Sequence, residues 1–366
     1  MTAQPKRGSW PWVLIAAVGF LLSVGVAILF AIEEGAVNEV NFSPTKHLLH
    51  LVLGLSAAAF VAFQDYRVLK RIANWLYLLS LVLLIVVLVS SSGQTQRWIE
   101  LGFIQFQPAE LAKLACVLLL AKLFANKVGE MQKPKNILLS IGYIILPAGL
   151  TLLQPDLGTS IIFIAIWAVL IIISDVKPLH IVIGGLLITT LGLLAIPQLS
   201  DYQQQRIMTF LDPAADPQGS GYNLRQARIT IGSGGVLGQG LDSGSQSQLA
   251  FLPAQHTDFV FAVTAEKLGF VGATAVIAAF AVVVWQMVRI GLRAQDSFGS
   301  HLAIGLAALI AIHVVINIGM NLGLLPVTGL PLPFLSYGGT YLTTALVAIG
   351  IVISISRSRR GLAFEK

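Results

Sequence analysis

Charged residues are scarce in this sequence. Asp, Glu, Lys and Arg make up 11% of its 366 residues, where soluble domains run near 25%. That scarcity excludes a soluble globular chain, and a mean hydropathy of +0.82 agrees. Cysteine is nearly absent. Cys116 stands alone in an apolar run, which excludes an intrachain disulfide and reads as a small core residue. Zinc-type spacings are missing too. No C-x-x-C, H-E-x-x-H or H-x-x-x-H occurs, and His301 and His313 lie far apart in one apolar run, which argues against a dedicated zinc site. No G-x-x-x-x-G-K-[ST] is present, so the chain itself does not read as an ATPase.

What the chain has in quantity is apolar sequence, 56% of its residues. A membrane helix needs about 20 mostly apolar residues. Ten runs qualify, near 11–32, 47–64, 72–91, 108–126, 136–153, 158–174, 179–197, 264–290, 300–323 and 339–356. The expected fold is an all-α polytopic membrane protein with about ten transmembrane helices, a single membrane domain over 1–366. The first run exceeds the ~7–15-residue core of a cleaved signal and ends in Glu33-Glu34, so it reads as a retained span.

The net charge of +6 invites a nucleic-acid partner, but topology explains it better. With the N-terminus in the cytoplasm, the inner loops carry Arg67, Lys70 and Arg71; Lys127, Lys133 and Lys135; Lys177; Arg289 and Arg293; and Arg357, Arg359 and Arg360. An even number of spans puts both termini inside. The one large loop, about 198–264, joins spans seven and eight and lies outside. Within it, Asp212 to Gly221 reads as turns, Tyr222 to Ile231 as a short helix bearing Arg225 and Arg228, and the Gly/Ser-rich stretch after it either as a flexible linker or as backbone that approaches a phosphate closely.

Four polar clusters fall on that outer face. FLPAQHTDFVFAVTAEKLG holds Asp258 at the mouth of the eighth span. Asp258 reads either as a helix N-cap or as a general base, with His256 and Thr257 placed to orient it or a substrate. Glu266 follows about two helical turns on, near the interface, either as a second functional acid or as a helix-end ion pair with Lys267. QTQRWIELGFIQFQPAELAKLA brings Arg97, with Trp98 as an interface anchor, and Glu110 with Lys113, three apart on a helix begun at Pro108. These two are either a mutually neutral pair or an acid and base facing an anionic head group. QPDLGTS offers Asp156, which also fits an N-cap over Thr159. The last loop, Asn317 to Leu342, is rich in Pro and Gly and reads as a re-entrant hairpin buried in protein; Ser336 within it is a candidate substrate contact. Arg206, Arg225 and Arg228 complete the cations available to a negatively charged ligand.

Together these motifs resemble the SEDS family (shape, elongation, division and sporulation; RodA, FtsW and SpoVE), and its RodA branch most of all. The C-terminal signature reads Asn317, Gly323, Pro326, Gly329, Phe334-Leu335 and Ser336-Tyr337-Gly338-Gly339-Thr340. RWIELGFIQFQPAELAKLA, QPDLGTS, ADPQGSGY, IGSGG, SGSQSQL and FLPAQHTDFVFAVTAEKLG match in order and spacing over most of the chain. Tyr341 departs from the small residue of the pattern, and Lys267 stands where relatives often carry a second acid. The resemblance implies a peptidoglycan glycosyltransferase that polymerises lipid II, the undecaprenyl-pyrophosphate-linked disaccharide-peptide, on the outer face of the cytoplasmic membrane. It implies a catalytic role for Asp258 and a class B penicillin-binding transpeptidase and other elongation proteins as partners. An inverting displacement needs one base and cations for the leaving pyrophosphate. A divalent cation, Mg²⁺ or Mn²⁺, can also bridge that group. A lipid II flippase and a non-catalytic scaffold are the competing classes.

Overall fold

The computed structural model describes residues 10–35, 43–90, 97–101, 104–174, 176–195, 201–212, 216, 219–248 and 251–358. Gln94, Arg359, Arg360 and much of the turn-rich 212–221 stretch lie outside the described residues. Each of the ten apolar runs forms one helix: α1 (Trp12–Gly35), α2 (Pro44–Phe63), α3 (Arg67–Ser90), α4 (Pro108–Asn126), α5 (Pro134–Leu153), α6 (Leu157–Ile172), α7 (Pro178–Ala195), α11 (Val260–Leu292), α12 (Ser297–Leu322) and α13 (Gly339–Arg357). Seven of these are long and apolar enough to cross a membrane. α4 has the length as well but carries Glu110, Lys113 and Lys122. The chain is a multi-pass membrane protein.

Prolines begin several of these helices. Pro44, Pro108 and Pro134 stand at first helical positions, where the missing N–H has no partner to lose. α4, α12 and α13 are buried around most of their circumference, as expected of helices that are apolar all round. α2 and α3 keep one face of Leu, Val, Phe and Trp exposed. α13 packs along α2, α11 along α12 and α1, and α4 against α3 and α12.

The structure adds elements that the apolar pattern does not announce. Ahead of α4 stand two short antiparallel strands, β1 (Ile99–Leu101) and β2 (Ile104–Phe106), with Glu100 opposite Gln105. The large loop holds three helices, α8 (Asp201–Leu211), α9 (Ser220–Ser233) and α10 (Ser245–Gln248). α9 corresponds to the short helix expected at 222–231.

α11 is broken once. Gly269 has φ 68° and ψ −171° inside an otherwise helical run. A break at membrane depth leaves backbone groups without helical partners, which is tolerable only if other protein atoms satisfy them. The Gly-rich segment after α9 does this. The Glu266 and Lys267 carbonyls accept from the Gln239 and Gly240 N–H groups at 2.9 and 3.0 Å, and the Phe270 and Val271 N–H groups donate to the Gly235 and Val236 carbonyls at 2.9 and 3.1 Å. This stretch is therefore a docked strand-like segment, neither a flexible linker nor a wall of the cavity described below. The approach demands glycine on both sides: a Cβ at Gly269 would lie 2.2 Å from the Gly238 nitrogen.

Gly269→Ala combines that clash with a left-handed φ. We expect it to destabilise the protein by about 3 kcal/mol or more, read as a lowered midpoint of thermal unfolding in detergent. Gly232→Ala is the control, because a Cβ there meets nothing within 4 Å.

Candidate active site at one end of the bundle

The irregular backbone between α12 and α13 folds back over the N-terminal turns of α4 and α11. Gly323 ends α12 in a left-handed cap. The return of the loop is then pinned by side chains. The Ser336 hydroxyl donates to the Thr257 carbonyl at 2.6 Å and accepts from the Leu332 N–H at 2.8 Å, and the Tyr337 N–H donates to the His256 carbonyl at 2.8 Å. Thr340 bridges to the β2 end of the hairpin, donating to the Gln105 carbonyl at 2.7 Å. These ties enclose a cavity of about 240 Å³ whose lining includes Arg97, Glu110, Asp156, Asp258, Gly329 and Tyr337.

Asp258 lies just before α11, whose N-cap position is Phe259 with no side-chain cap. The capping alternative therefore fails, and the carboxylate is left to face the cavity. Its main chain is fixed by two amides from α12: Asn317 and Asn321 Nδ2 donate to the Asp258 carbonyl at 2.9 and 3.0 Å. Asn321 also accepts from the Ala262 N–H at 3.1 Å, which satisfies an orphan donor of the α11 N-terminus. Gly329 keeps the space beside the carboxylate open: a Cβ there would sit 3.4 Å from Asp258 Oδ2 and 3.7 Å from the Arg206 guanidinium. Burial raises the Asp258 pKa above the ordinary carboxylate value, against the opposing pull of Arg206, a hydrogen bond with Thr257 and the charge of Arg97. A carboxylate shifted this way is a stronger base at neutral pH. His256 is pushed down by burial and so stays neutral.

Beneath the cavity lies a buried polar cluster on three helices. Lys113 Nζ donates to Glu110 Oε1 at 2.8 Å and to His313 Nε2 at 2.9 Å, and it stands 5.5 Å from the Tyr341 ring centroid. An ammonium has only donors, so a charged Lys113 needs His313 Nε2 as acceptor. Lys113 and Glu110 form a buried ion pair, and Glu110 also lines the cavity.

The other residues singled out from sequence divide cleanly. Arg97 lines the cavity and clamps the turn before α6. Its Nε donates to the Gln154 carbonyl at 3.2 Å, its Nη2 donates to the Pro155 carbonyl, and its Nη1 lies 3.9 Å from Asp156 Oδ2. Asp156 lines the cavity but is the N-cap of α6, accepting from the Thr159 N–H and hydroxyl at 3.1 and 2.9 Å. Ser336 and the His256 main chain serve the loop ties above. Arg228 sits elsewhere: it donates to the Leu322 and Gly323 carbonyls and so caps the C-terminus of α12, where a cation is favourable. Glu266 is fully buried in α11 and does not line the cavity. Its carboxylate accepts from the Gln246 and Ser247 N–H groups at 3.0 and 3.2 Å, holding α10, while Lys267 donates to the Leu241 and Ser243 carbonyls. The Glu266–Lys267 ion pair is thus replaced by two loop anchors. Among the described residues, no three His, Cys, Asp or Glu side chains converge as a metal-binding group.

His313, Asn317 and Asn321 were missed as site residues. They recur every four residues in an otherwise apolar helix, so they share one face. Polar groups on such a face mark a functional or packed interior, and that was the signal available.

The chain is thus a polytopic membrane bundle in which one loop roofs a buried carboxylate, Arg97 and the acid of a buried ion pair. The chain belongs to the FtsW/RodA/SpoVE family, described as cell cycle proteins, whose model matches residues 9–361. It is 39% identical to the peptidoglycan glycosyltransferase MrdB of Escherichia coli K12, over 99% of each chain. It is 33% identical to stage V sporulation protein E of Bacillus subtilis, over 97% of this chain and 99% of that one. Among solved structures it is similar to a chain of a peptidoglycan synthase complex that coordinates polymerization and crosslinking, with a TM-score of 0.80, 30% identity and coverage of 95% and 98%. The rod shape determining protein RodA of Thermus thermophilus matches with a TM-score of 0.71, 28% identity and coverage of 96% and 98%.

Breaking a buried ion pair leaves one uncompensated charge, at a cost of about 3–5 kcal/mol. We expect Glu110→Gln or Lys113→Met alone to lower thermal stability on that scale. The double variant should recover much of the loss, and unfolding of all three in one detergent is the measurement.

Proposed function

We propose that this peptidoglycan glycosyltransferase polymerises lipid II into glycan strands for cell-wall elongation and shape, with Asp258 as its general base. The observation that supports the reading best is the meeting of a main-chain-anchored, buried carboxylate with Arg97 in one cavity, with Arg206 close by across Gly329. The cavity is smaller than the roughly 300–1,000 Å³ of typical small-molecule pockets. It therefore suits the reacting centre alone, the attacking hydroxyl, the anomeric carbon and the adjoining phosphate, with the rest of the sugars and the lipid tail outside it.

In this proposal the 4-hydroxyl of the acceptor sugar attacks the anomeric carbon of the donor MurNAc. Asp258 takes the hydroxyl proton as the new C–O bond forms. The bond to the lipid pyrophosphate breaks on the opposite side, inverting the anomeric centre. The leaving group departs with its electron pair, and Arg206 and Arg97 face the charge it gains. Lys113 holds Glu110 at the cavity floor, where Glu110 can accept from a sugar hydroxyl. Were a divalent cation such as Mg²⁺ or Mn²⁺ bound, it would supply charge neutralisation for the pyrophosphate, and the carboxylates that line the cavity, Glu110, Asp156 and Asp258, are the residues available to hold it.

The positive-inside distribution of the short loops supports an extracytoplasmic cavity in the cytoplasmic membrane, with both termini inside. The crosslinking activity of the similar synthase complex supports a class B penicillin-binding transpeptidase as partner within a larger elongation assembly.

Asp258→Asn keeps the shape and removes the base. Purified variant should fold with unchanged thermal stability and lose glycan polymerisation from lipid II by about 10²–10⁴-fold; normal polymer on a gel would sink the assignment. The pH profile follows from the raised pKa of Asp258. Activity should fall as pH drops through that value, with an acid limb centred above the ~3.9 of an ordinary Asp, and kcat/KM against pH measures it.

A further inference from the structure

The end of the bundle away from Asp258 carries a second built recess. Its cavity of about 440 Å³ is lined by Arg67, Lys70, Arg71, Lys122, Asp296 and Phe298. Lys122 lies twelve residues beyond Glu110 on α4, roughly 18 Å along the axis at 1.5 Å per residue. The reaction described above uses none of these side chains.

Four cations and one carboxylate line the recess, and the carboxylate is already occupied. Asp296 accepts from the Gly299 N–H at 2.7 Å as the α12 N-cap, from the Tyr66 hydroxyl at 3.0 Å and from Arg67 Nε at 3.3 Å. Arg67 is thereby committed, and it also donates to Gln295 at 2.8 Å. Lys70, Arg71 and Lys122 retain donors. Lys70 Nζ stands 5.8 Å from the Phe298 ring centroid. Lys122 Nζ makes one bond, to Asn74 at 2.6 Å, of the three that an ammonium can make. Arg71 is exposed and has no ion-pair partner among the described residues.

The sequence of α3 sets two faces side by side. Arg67, Lys70, Arg71 and Asn74 recur at three- and four-residue spacing and turn toward the recess. Val68, Ile72, Trp75, Leu79, Val82 and Val86 form the adjacent stripe, and all six are exposed. The Trp75 ring lies one turn from Arg71, at the level where aromatic side chains meet head groups. A phosphate in the recess would thus have a continuous aliphatic track for its chains.

We propose that this recess binds the head group of an anionic phospholipid, in the leaflet opposite the Asp258 cavity. The cationic surplus selects negative charge, and the apolar stripe selects a lipid over a soluble anion. Basic pockets between membrane helices bind anionic head groups by this combination.

The test uses the purified full chain in detergent, titrated with phosphatidylglycerol or phosphatidylcholine while thermal unfolding is followed. Phosphatidylglycerol should raise the unfolding midpoint and phosphatidylcholine should not. The triple variant Lys70→Gln, Arg71→Gln, Lys122→Gln should weaken the phosphatidylglycerol effect roughly a hundredfold in concentration, from about fivefold per cation. It should polymerise lipid II normally in phosphatidylcholine bilayers. Arg71→Gln alone covers the case in which the triple variant is unstable, and should weaken the effect about fivefold. Lys127→Gln with Lys133→Gln removes charge from the same end and should change nothing. An equal loss in that control, or no loss in Arg71→Gln, would overturn the site. Full displacement of the lipid effect by millimolar pyrophosphate would overturn the lipid and assign a soluble anion.

Discussion

A charged lysine enclosed by apolar helices must be given acceptors, and the upper half of the bundle is arranged around that demand. Lys113 finds Glu110 one turn back on α4, His313 on α12 and the face of Tyr341 on α13. These three helices are also the most fully buried. The ion pair lies within α4, so a slip of α12 or α13 by a turn would cost the ammonium its His313 acceptor or the Tyr341 ring rather than its counter-ion. The cluster therefore fixes the helix register, and because Glu110 also forms the cavity floor, the same contacts fix the site.

Irregular backbone at membrane depth is governed by the same rule of satisfaction. The break of α11 at Gly269 is completed by the 235–240 segment. The start of α11 is completed by Asn321, and the carbonyl of Asp258 by Asn317 and Asn321 together. The re-entrant loop is completed by Ser336, Thr340 and the His256 carbonyl. Each of these is a side chain or loop answering a backbone group that the helices cannot answer. The result is a carboxylate held by its own main chain on two elements, which is how a site on a loop acquires the precision of one on a helix.

The ten helices were legible because hydrophobic run length is a local property, and the observed ends fall within a few residues of the apolar limits. Asp258 was legible as a candidate from its place at a span mouth, but its freedom from capping was not. That depended on Phe259 taking the N-cap position. The roles of Glu266 and Arg228 were illegible for a related reason. Both are charged residues whose partners are main-chain groups distant in sequence, at α10 and at the end of α12. The Gly/Ser stretch looked like a linker because composition reports flexibility of the free chain and says nothing of a broken helix waiting to pair with it. The spacing of His313 to His301 bears only on metal ligation. Its spacing to Asn317 and Asn321 was the informative one.

The electrostatics of the cavity turn on how its cations are already employed. Arg97 is spread over three acceptors of the α5–α6 turn, so its guanidinium is rigid and its charge is partly offset by Asp156. Arg206 stands across Gly329 from Asp258. A base ringed by unscreened cations would be too acidic to take a proton, while one buried alone would be protonated already. Burial drives the Asp258 pKa up, and the two arginines oppose that rise. In the proposed reaction the cations that oppose the rise of the Asp258 pKa would also face the departing pyrophosphate. As negative charge passes from the Asp258 carboxylate to the leaving group, the same guanidinium groups would face both ends of that transfer. Little protein reorganisation is then required during the reaction, which is the condition under which preorganised charge lowers a barrier most.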